Sequence, residues 1–347
     1  MATVSLCMIV KNEEAVLARC LRSVAPAVDE IVIVDTGSND RTREIARQFT
    51  GRFYDFTWID DFSAARNYSF SKATMDYCMW LDADDVFSEA DRRALIALKE
   101  GLDCDVVMMP YRSGSVVFYR ERLLRRSANF RWEGAVHEAI TPRGTVVYSD
   151  ITVTHLKEHI ADPARNLRIY EKQLADGCLL TARDRFYYAR ELSYHNRDAE
   201  AVNQFEAFLQ AGDGWLENQL EACRLLAGCY RRMGEWEKAL SALVHSFTLD
   251  TPRPEICCDL GDLFLEQGAW SAAAYWYQAA FGCPRRDQNG GFQQPDRSGV
   301  YPALQLCVCC WQMGKREQSE AWNKTAATFA PDHPAVQSNL LFFAKKA

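Results

Sequence analysis

The sequence predicts an α/β domain with a mostly parallel, Rossmann-like sheet, followed by an all-α domain of helical repeats. In the first part, short buried-type apolar runs alternate with amphipathic segments, an order typical of parallel strands joined by helices. After Asp162-Pro163 the β-branched runs stop, and Ala, Leu, Tyr, Glu and Arg dominate. In that second part a pattern recurs about every 34 residues. We therefore predict domains at residues 1–160 and 161–347.

Each early apolar run ends at polar residues. A first strand over 4–10 is followed by Lys11-Asn12-Glu13-Glu14, where Asn12 is placed to cap a helix. A second strand over 31–34 ends on Asp35, and a third, shorter strand is predicted within 51–56. In open α/β sheets ligands bind at the carboxyl ends of the strands, so these polar residues are candidates for a site.

The stretch Tyr77-Cys78-Met79-Trp80-Leu81-Asp82-Ala83-Asp84-Asp85 is the most informative in the chain. An apolar run typical of a buried strand meets three carboxylates within four positions. Clustered like charges are unfavourable unless a cation neutralises them. Oxygen ligands suit Mg²⁺ or Mn²⁺ rather than zinc. The alternative is a solvated acidic loop, or an N-cap for the helix after Ser88.

Other polar residues extend this candidate site. Asp35 can accept hydrogen bonds from a ribose or base edge, or it can cap its own turn. Arg66, beside Asn67, offers a fork of donors for a phosphate or base carbonyl, unless it forms an ordinary surface ion pair. Further on, Trp132 offers an apolar plate for a sugar ring. An arginine-rich segment over 115–126 either steadies a diphosphate or forms a solvated hairpin.

Four motifs occur in the order and spacing of the family 2 glycosyltransferases: Ser5-Leu6-Cys7-Met8-Ile9-Val10-Lys11-Asn12-Glu13-Glu14, Val34-Asp35-Thr36-Gly37-Ser38-Asn39-Asp40-Arg41-Thr42, Phe62-Ser63-Ala64-Ala65-Arg66-Asn67 and Leu81-Asp82-Ala83-Asp84-Asp85. The match covers roughly residues 3–155. Within this family the chain resembles the bacterial lipo-oligosaccharide β-1,4-glucosyltransferases and the bacteriocin S-glycosyltransferases.

The resemblance implies a GT-A fold, a UDP-sugar donor and inversion at the anomeric carbon. It implies that the loop after the first strand and Asp35 hold the uridine, and that Asp82 and Asp84 form a DXD motif facing ribose and metal. The implied nucleotide-sugar contacts are Val10, Lys11, Asn12, Glu13, Asp35, Arg66, Asn67, Asp82 and Asp84. The expected metal ligands are Asp84, Asp82 and His155, where His155 has a purely structural role as its alternative.

An inverting transfer requires a group that takes the proton of the acceptor. In the related family a patch like Trp132-Glu133-Gly134-Ala135-Val136-His137-Glu138 lies near the acceptor side. We predict Glu138 as this base, with Asp85 and His137 as the next candidates. The alternative for Glu138 is an ion pair with an arginine of the preceding basic segment.

The second half resembles tetratricopeptide repeats. Copies are predicted over 226–240, 260–273 and 305–319, with a degenerate copy over 187–209. Their turns are expected at Gly234, Gly268, Gly314 and Asn196. Stacked repeats present a concave groove, which suits a peptide or protein acceptor. The alternatives are a homodimer contact or support for the catalytic domain.

Bulk properties exclude several classes of protein. A net charge of −7 argues against a nucleic-acid binder. No apolar run reaches the roughly 20 residues of a membrane span, and the N-terminus lacks the pattern of a signal peptide. The 13 cysteines, including Cys307, Cys309 and Cys310, are interpreted as reduced core residues. We therefore expect a cytoplasmic protein.

Together with what the family resemblance implies about donor and stereochemistry, these observations predict a metal-dependent inverting hexosyltransferase that moves a sugar from a UDP-sugar to a peptide, protein or saccharide. The alternative is a non-catalytic adaptor that senses a nucleotide and binds a partner through its repeats. A nucleotidyltransferase ranks lower, because Lys11-Asn12-Glu13-Glu14 stands where a glycine-rich phosphate loop is expected.

Overall fold

The computed structural model describes residues 1–114, 116–156, 162–284, 291 and 294–346. They form two compact units, Met1–Leu180 and Thr181–Ala347. The predicted boundary between residues 160 and 161 lies outside the described residues, so it stays a prediction.

The first unit is built on one curled, mostly parallel sheet, as predicted. Its strands run in the order β3-β2-β1-β4-β7-β6-β9-β5, with β8 beside β6. In sequence these are β1 (Val4–Val10), β2 (Glu30–Asp35), β3 (Phe53–Asp55), β4 (Tyr77–Trp80), β5 (Asp85–Phe87), β6 (Val106–Ser113), β7 (Val116–Arg125), β8 (Val146–Tyr148) and β9 (Val153–His155). Strands β1, β2, β3 and β4 are mutually parallel, whereas β7 pairs antiparallel with β4 and β6. The carboxyl ends of β1, β2 and β4 therefore meet at one edge.

Five α-helices connect and cover these strands within the described part of this unit. They are α1 (Leu17–Val24), α2 (Thr42–Arg47), α3 (Phe62–Ser71), α4 (Glu89–Leu98) and α5 (Arg165–Ala175). The predicted apolar stripe of α1, formed by Leu17, Cys20, Leu21 and Val24, is completely buried against the sheet. Burial of that stripe fixes α1 against the sheet, close to the edge formed by the carboxyl ends of β1, β2 and β4.

The structure corrects the predicted cap at Asn12. Helix α1 begins at Leu17, and Asn12 has a positive φ of 56°. Its side-chain Oδ1 accepts from the Asn39 backbone N–H at 2.9 Å. Asn12 therefore ties the loop after β1 to the loop after β2, since its short amide tolerates the left-handed conformation. By contrast, Ser88 caps α4, and its hydroxyl oxygen accepts from the Asp91 N–H at 3.1 Å.

The arginine-rich segment is largely a strand. Residues 116–125 form β7, which pairs with β6 as a hairpin, while Ser115 lies outside the described residues. Arg122 faces inward and is 0% exposed. The hairpin is thus only partly solvated, because β7 is inserted between β4 and β6.

The second unit consists of stacked antiparallel helix pairs, as predicted for tetratricopeptide-type repeats. Its helices are α6 (Ala182–Tyr194), α7 (Asp198–Ala211), α8 (Leu216–Arg232), α9 (Trp236–Leu249), α10 (Pro254–Glu266), α11 (Trp270–Gly282), α12 (Val300–Gln312), α13 (Arg316–Phe329) and α14 (Pro334–Lys346). The four predicted turn residues all have positive φ: 57° at Asn196, 77° at Gly234, 68° at Gly268 and 73° at Gly314.

The structure also bears on the expectations for the cysteines and for membrane-spanning helices. Cys307, Cys309 and Cys310 are buried on α12 and carry no disulfide. Among the described residues, no helix has the length and apolar character needed to cross a bilayer.

Candidate functional site

The acidic loop after β4 divides its carboxylates between the surface and the interior. The Asp85 side chain is 0% exposed, whereas those of Asp82 and Asp84 reach solvent. The Asp82 backbone N–H donates to Asp85 Oδ2 at 3.1 Å, and the Asp85 N–H donates to the Asp82 carbonyl at 3.1 Å. These two bonds close a tight turn that points Asp85 inward and leaves Asp84 at the edge of the sheet.

His155 lies beside this loop because β9 pairs with β5 in a register that places it opposite Asp85. Its Nδ1 is 3.2 Å from Asp84 Oδ1 and 3.2 Å from Asp85 Oδ1. Hydrogen bonds to Asp84 and then to Asp85 raise the pKa of His155 to about 10. Ligand-capable atoms of Asp84, Asp85 and His155 all lie within 4.8 Å of one another. The predicted third metal ligand is thus brought to Asp84.

Arg66 joins two predicted site residues. From α3, its Nη2 donates to Asp82 Oδ1 at 2.7 Å and its Nε donates to Glu138 Oε1 at 2.5 Å. The guanidinium lies over the rings of Trp80 and Trp132, with Cζ 5.0 and 4.8 Å from their centroids. Although burial opposes it, the Arg66 charge lowers the pKa of Asp82 to about 2. Glu138 is therefore paired, and its partner belongs to α3 rather than to the basic segment.

Trp132 is not the exposed plate that the sequence suggested. It is 2% exposed and packs edge-on against Trp80, with ring centroids 4.9 Å apart. Asn67 holds its backbone in place: Nδ2 donates to the Trp132 carbonyl and Oδ1 accepts from the Trp132 N–H, both at 2.9 Å. Trp132 belongs to the core because its indole covers the buried Arg66.

His137, next to Glu138, has a positive φ of 52°.

The loops after β1 and β2 form one connected wall. The Asn12 N–H donates to Ser38 Oγ at 2.9 Å, and the Glu13 N–H donates to Thr42 Oγ1 at 2.6 Å. Asp35, at the end of β2, is fully buried; its carboxylate accepts from the N–H groups of Gly37 and Ser38 and from Arg43 Nε. Asp35 therefore shapes this turn, which is the alternative that the sequence left open beside nucleotide binding.

Glu13 brings a further carboxyl group close to the acidic loop. Burial, followed by the charges of Asp84 and Asp82, raises the pKa of Glu13 to about 7. Near neutral pH this group is partly protonated, and a nearby cation would favour its ionised form. Lys11 and Val10 complete the predicted loop; Lys11 is exposed and Val10 is buried at the end of β1.

Sequence reasoning missed Arg122 as an individual site residue. Its Nη1 donates to the Trp80 carbonyl at 3.0 Å and to Asp85 Oδ2 at 3.2 Å. The signal in the sequence was weak: Arg122 follows the charged pair Arg120-Glu121 and directly precedes the apolar pair Leu123-Leu124. Its partner could not be identified because β7 pairs with β4 only through long-range contacts.

A family model described as glycosyl transferase family 2 matches residues 5–172. This part of the chain belongs to glycosyl transferase family 2. The resemblance carried by the four sequence motifs is thereby confirmed, and so is the predicted fold class of a family 2 domain followed by helical repeats.

Two curated proteins are similar to this chain, one of them named for TPR repeats and the other as a glycosyltransferase. One is the TPR repeat-containing protein Synpcc7942_0270 of Synechococcus elongatus, 41% identical over 144 residues, covering 40% of this chain and 36% of the relative. The other is the SPbeta prophage-derived glycosyltransferase SunS of Bacillus subtilis, 25% identical over 221 residues, covering 58% of this chain and 52% of the relative. The chain thus spans about half or less of the length of these relatives.

A solved structure with limited similarity is glucosyl-3-phosphoglycerate synthase from Mycobacterium tuberculosis in complex with Mn²⁺ and uridine-diphosphate-glucose. Its TM-score is 0.38 at 16% identity, and the match covers 52% of this chain and 81% of that one.

Proposed function

We propose that the family 2 domain transfers a hexose from a UDP-sugar to an acceptor and that it uses Mn²⁺ or Mg²⁺. The observation that carries this proposal is the meeting of Asp84 and His155 at the carboxyl edge of β4, next to the Glu13 loop. That edge is where open α/β sheets bind ligands.

The donor set fits a divalent ion. Asp84 and His155 are partly exposed and adjacent, whereas both oxygens of Asp85 already contact protein groups. Carboxylate oxygens suit both Mg²⁺ and Mn²⁺, whereas an imidazole nitrogen favours the transition metal. We therefore propose Mn²⁺ as the preferred ion. A bound cation would neutralise the charge of the diphosphate as it leaves. Asp82 lies on the ribose side in this proposal, held by Arg66.

The nucleotide would contact the wall formed by the loops after β1 and β2. The hydrogen bonds from Asn12 and Glu13 to the second loop give this wall a fixed shape before any ligand binds. Preorganisation of this kind lowers the entropic cost of binding. Asp35 would then act mainly by fixing the turn at residues 37 and 38, and Asn67 by fixing the backbone at Trp132.

Glu138 remains our proposed general base. Arg66 holds its carboxylate in one position, and its side chain keeps 11% of its surface exposed, whereas Asp85 is fully covered. A positioned carboxylate can take the proton of an acceptor hydroxyl or thiol as it attacks. His137, which precedes it, stays the further candidate.

We also propose that the repeats bind the acceptor. Tetratricopeptide-type arrays present extended surfaces, so residues 181–346 are our candidate surface for a peptide or protein acceptor. A saccharide acceptor and a homodimer contact are the alternatives. Pull-down of a radiolabelled glycosylated product from cell extract, followed by protease or glycosidase treatment, would separate peptide from saccharide acceptors.

The decisive experiment is release of UDP from UDP-glucose and from a panel of other UDP-sugars in the presence of Mn²⁺. We expect Asp84→Ala to abolish release while the melting temperature without metal is kept. Asp103→Ala, which removes a carboxylate that is 93% exposed, serves as the matched control. Wild-type turnover in Asp84→Ala would refute the metal site, and nucleotide binding without any turnover would favour the adaptor alternative.

A further inference from the structure

The inner carboxylate of the acidic loop is held by an arginine that has no contact with solvent. Arg122, from β7, reaches Asp85 Oδ2 at 3.2 Å, and both side chains are 0% exposed. The guanidinium is enclosed by two aromatic rings, with Cζ 3.7 Å from the centroid of Trp80 and 4.7 Å from that of Tyr111. Its Nη1 also donates to the Trp80 carbonyl at 3.0 Å. Arg122 therefore has little freedom to move.

The other oxygen of Asp85 faces the histidine. Asp85 Oδ1 lies 3.2 Å from His155 Nδ1, the same distance as Asp84 Oδ1. Asp85 Oδ2 is engaged by Arg122 and by the Asp82 N–H. The pairing of β5 with β9 places Asp85 and His155 directly opposite each other. Three strands thus supply one continuous line of contacts, from Arg122 through Asp85 to His155.

This line is not explained by stability alone. Replacing a buried ion pair by apolar residues is often neutral or stabilising, because burial of charge is costly. The cost is visible here, since Arg122 Nε and Nη2 are buried and meet no hydrogen-bond acceptor among the described residues. A buried arginine with two unsatisfied donors calls for a reason beyond packing.

We propose that Arg122 and Asp85 are positioning residues that orient His155 for metal binding. With Asp84 serving as a metal ligand, Asp85 accepts the hydrogen of Nδ1, which fixes the tautomer whose Nε2 lone pair is available as a ligand. Arg122 fixes Asp85 in turn. Metal-bound histidines commonly donate their second ring N–H to a carboxylate in this way. This inference rests on the proposed metal site. It assigns Asp85 the role of orienting the metal ligand His155, rather than that of a metal ligand or general base.

The test is an EPR titration of the full chain with Mn²⁺, comparing the wild type with Asp85→Asn and Arg122→Lys. We expect both variants to bind Mn²⁺ about 10- to 100-fold more weakly, the range found when outer partners of metal ligands are removed. Arg122→Lys keeps the charge but lacks the planar fork. Glu121→Gln, which changes a buried carboxylate on the same strand paired with Arg120, should bind like the wild type.

The double variant Asp85→Asn/Arg122→Met separates positioning from folding. It removes both buried charges together, so we expect it to keep a melting temperature without metal close to that of the wild type and still to lose Mn²⁺ affinity. If it or Asp85→Asn binds Mn²⁺ as the wild type does, the positioning role is overturned while the metal site stands. If the wild type binds no Mn²⁺, or if Asp84→Ala binds it unchanged, the proposed metal site itself is wrong.

Discussion

The two units use ion pairs in different ways. In the repeats, arginines pair with carboxylates one repeat away: Arg224 with Asp259 and Arg297 with Asp262 are 35 residues apart, and Arg253 with Glu217 are 36 apart. At the sheet edge the separations follow no period, being 16 and 72 residues for the two partners of Arg66 and 37 for Arg122 with Asp85.

This difference follows from how each unit is assembled. In the repeats, each helix pair contacts its neighbours, so an ion pair with the spacing of the repeat joins one copy to the next. At the sheet edge, helices and strands from distant parts of the chain end together, so their charges converge on one loop. Loss of an arginine should therefore affect one interface in the repeats but several site residues at the sheet edge.

The largest expected effect is that of Arg66→Met. The substitution leaves Asp82 and Glu138 without their shared partner, and removing one member of a buried ion pair costs about 3–5 kcal/mol. We expect unfolding of the first unit at a markedly lower temperature and loss of UDP release. Calorimetry and the UDP assay would measure the two effects.

Arg224→Met is the matched change in the repeats. Arg224 contacts Glu221 at 2.9 Å and Asp259 at 2.6 Å and is comparably buried. We expect it to destabilise the second unit while UDP release from a UDP-sugar without acceptor stays near that of the wild type. Equal loss of release in both variants would contradict the contrast between the two regions.

The same contrast explains what could be predicted from sequence. The repeat turns were located to the residue, since a period of about 34 and a left-handed glycine are local signals. The strand ends and the Asp82–Asp85 cluster were found because an apolar run that meets polar residues is local too. The ion pair of Arg66 with Glu138, the burial of Trp132 and the position of Arg122 depend on contacts between distant segments, which one sequence does not contain.

The cap predicted at Asn12 was wrong for a related reason. The residue type suits a helix N-cap, but it equally suits a left-handed turn. The left-handed turn is favoured because Asn12 Oδ1 accepts a hydrogen bond from the backbone N–H of Asn39, 27 residues away. Local patterns therefore located the site loops but did not determine what their side chains contact.

The second prediction concerns pH and the sheet edge. Because the folded-state pKa is raised to about 10 for His155 and to about 7 for Glu13, both groups hold protons that a bound cation must displace. Near pH 8 we expect Mn²⁺ binding to release about one proton and to tighten about tenfold per pH unit, since a pKa unit corresponds to a factor of ten. Near pH 6 the number of protons released on Mn²⁺ binding should approach two.

Calorimetric titrations in buffers of different ionisation enthalpy would count these protons. Glu13→Gln should remove the additional proton at pH 6 and leave the proton released at pH 8. A proton count of zero at pH 8 would show that His155 is not deprotonated on binding, and it would remove His155 from the metal site.

The third prediction concerns close packing in the repeats. A Cβ on Gly261 would lie 2.5 Å from Tyr277 Cε1, and that buried ring is held by a hydrogen bond from its hydroxyl to Asp262 Oδ1 at 2.6 Å. We expect Gly261→Ala to cost about 1–3 kcal/mol of unfolding free energy in the second unit, as overpacking does. Gly228→Ala is the control: its Cβ would meet only Arg232 Nη1 at 3.5 Å, so a neutral or slightly stabilising result is expected. Urea denaturation followed by circular dichroism would measure both.

The smallest effect is expected at a repeat turn. Gly234 has φ of 77°, and the space that an added methyl group would occupy is open, so Gly234→Ala should cost only the backbone strain of about 1 kcal/mol. Gly234→Asn should cost less, because Asn196 already occupies the corresponding turn at φ of 57°. The same denaturation curves would rank the three residues as Gly, Asn, Ala.

Neither turn variant should change UDP release or Mn²⁺ binding, because the altered backbone belongs to one turn between α8 and α9. If Gly234→Ala lost as much unfolding free energy as Gly261→Ala, the strain of the left-handed turn alone would not account for the loss. Loss of UDP release in a folded Gly234→Ala protein would be more consequential, since it would show that a change confined to one repeat reaches the family 2 domain.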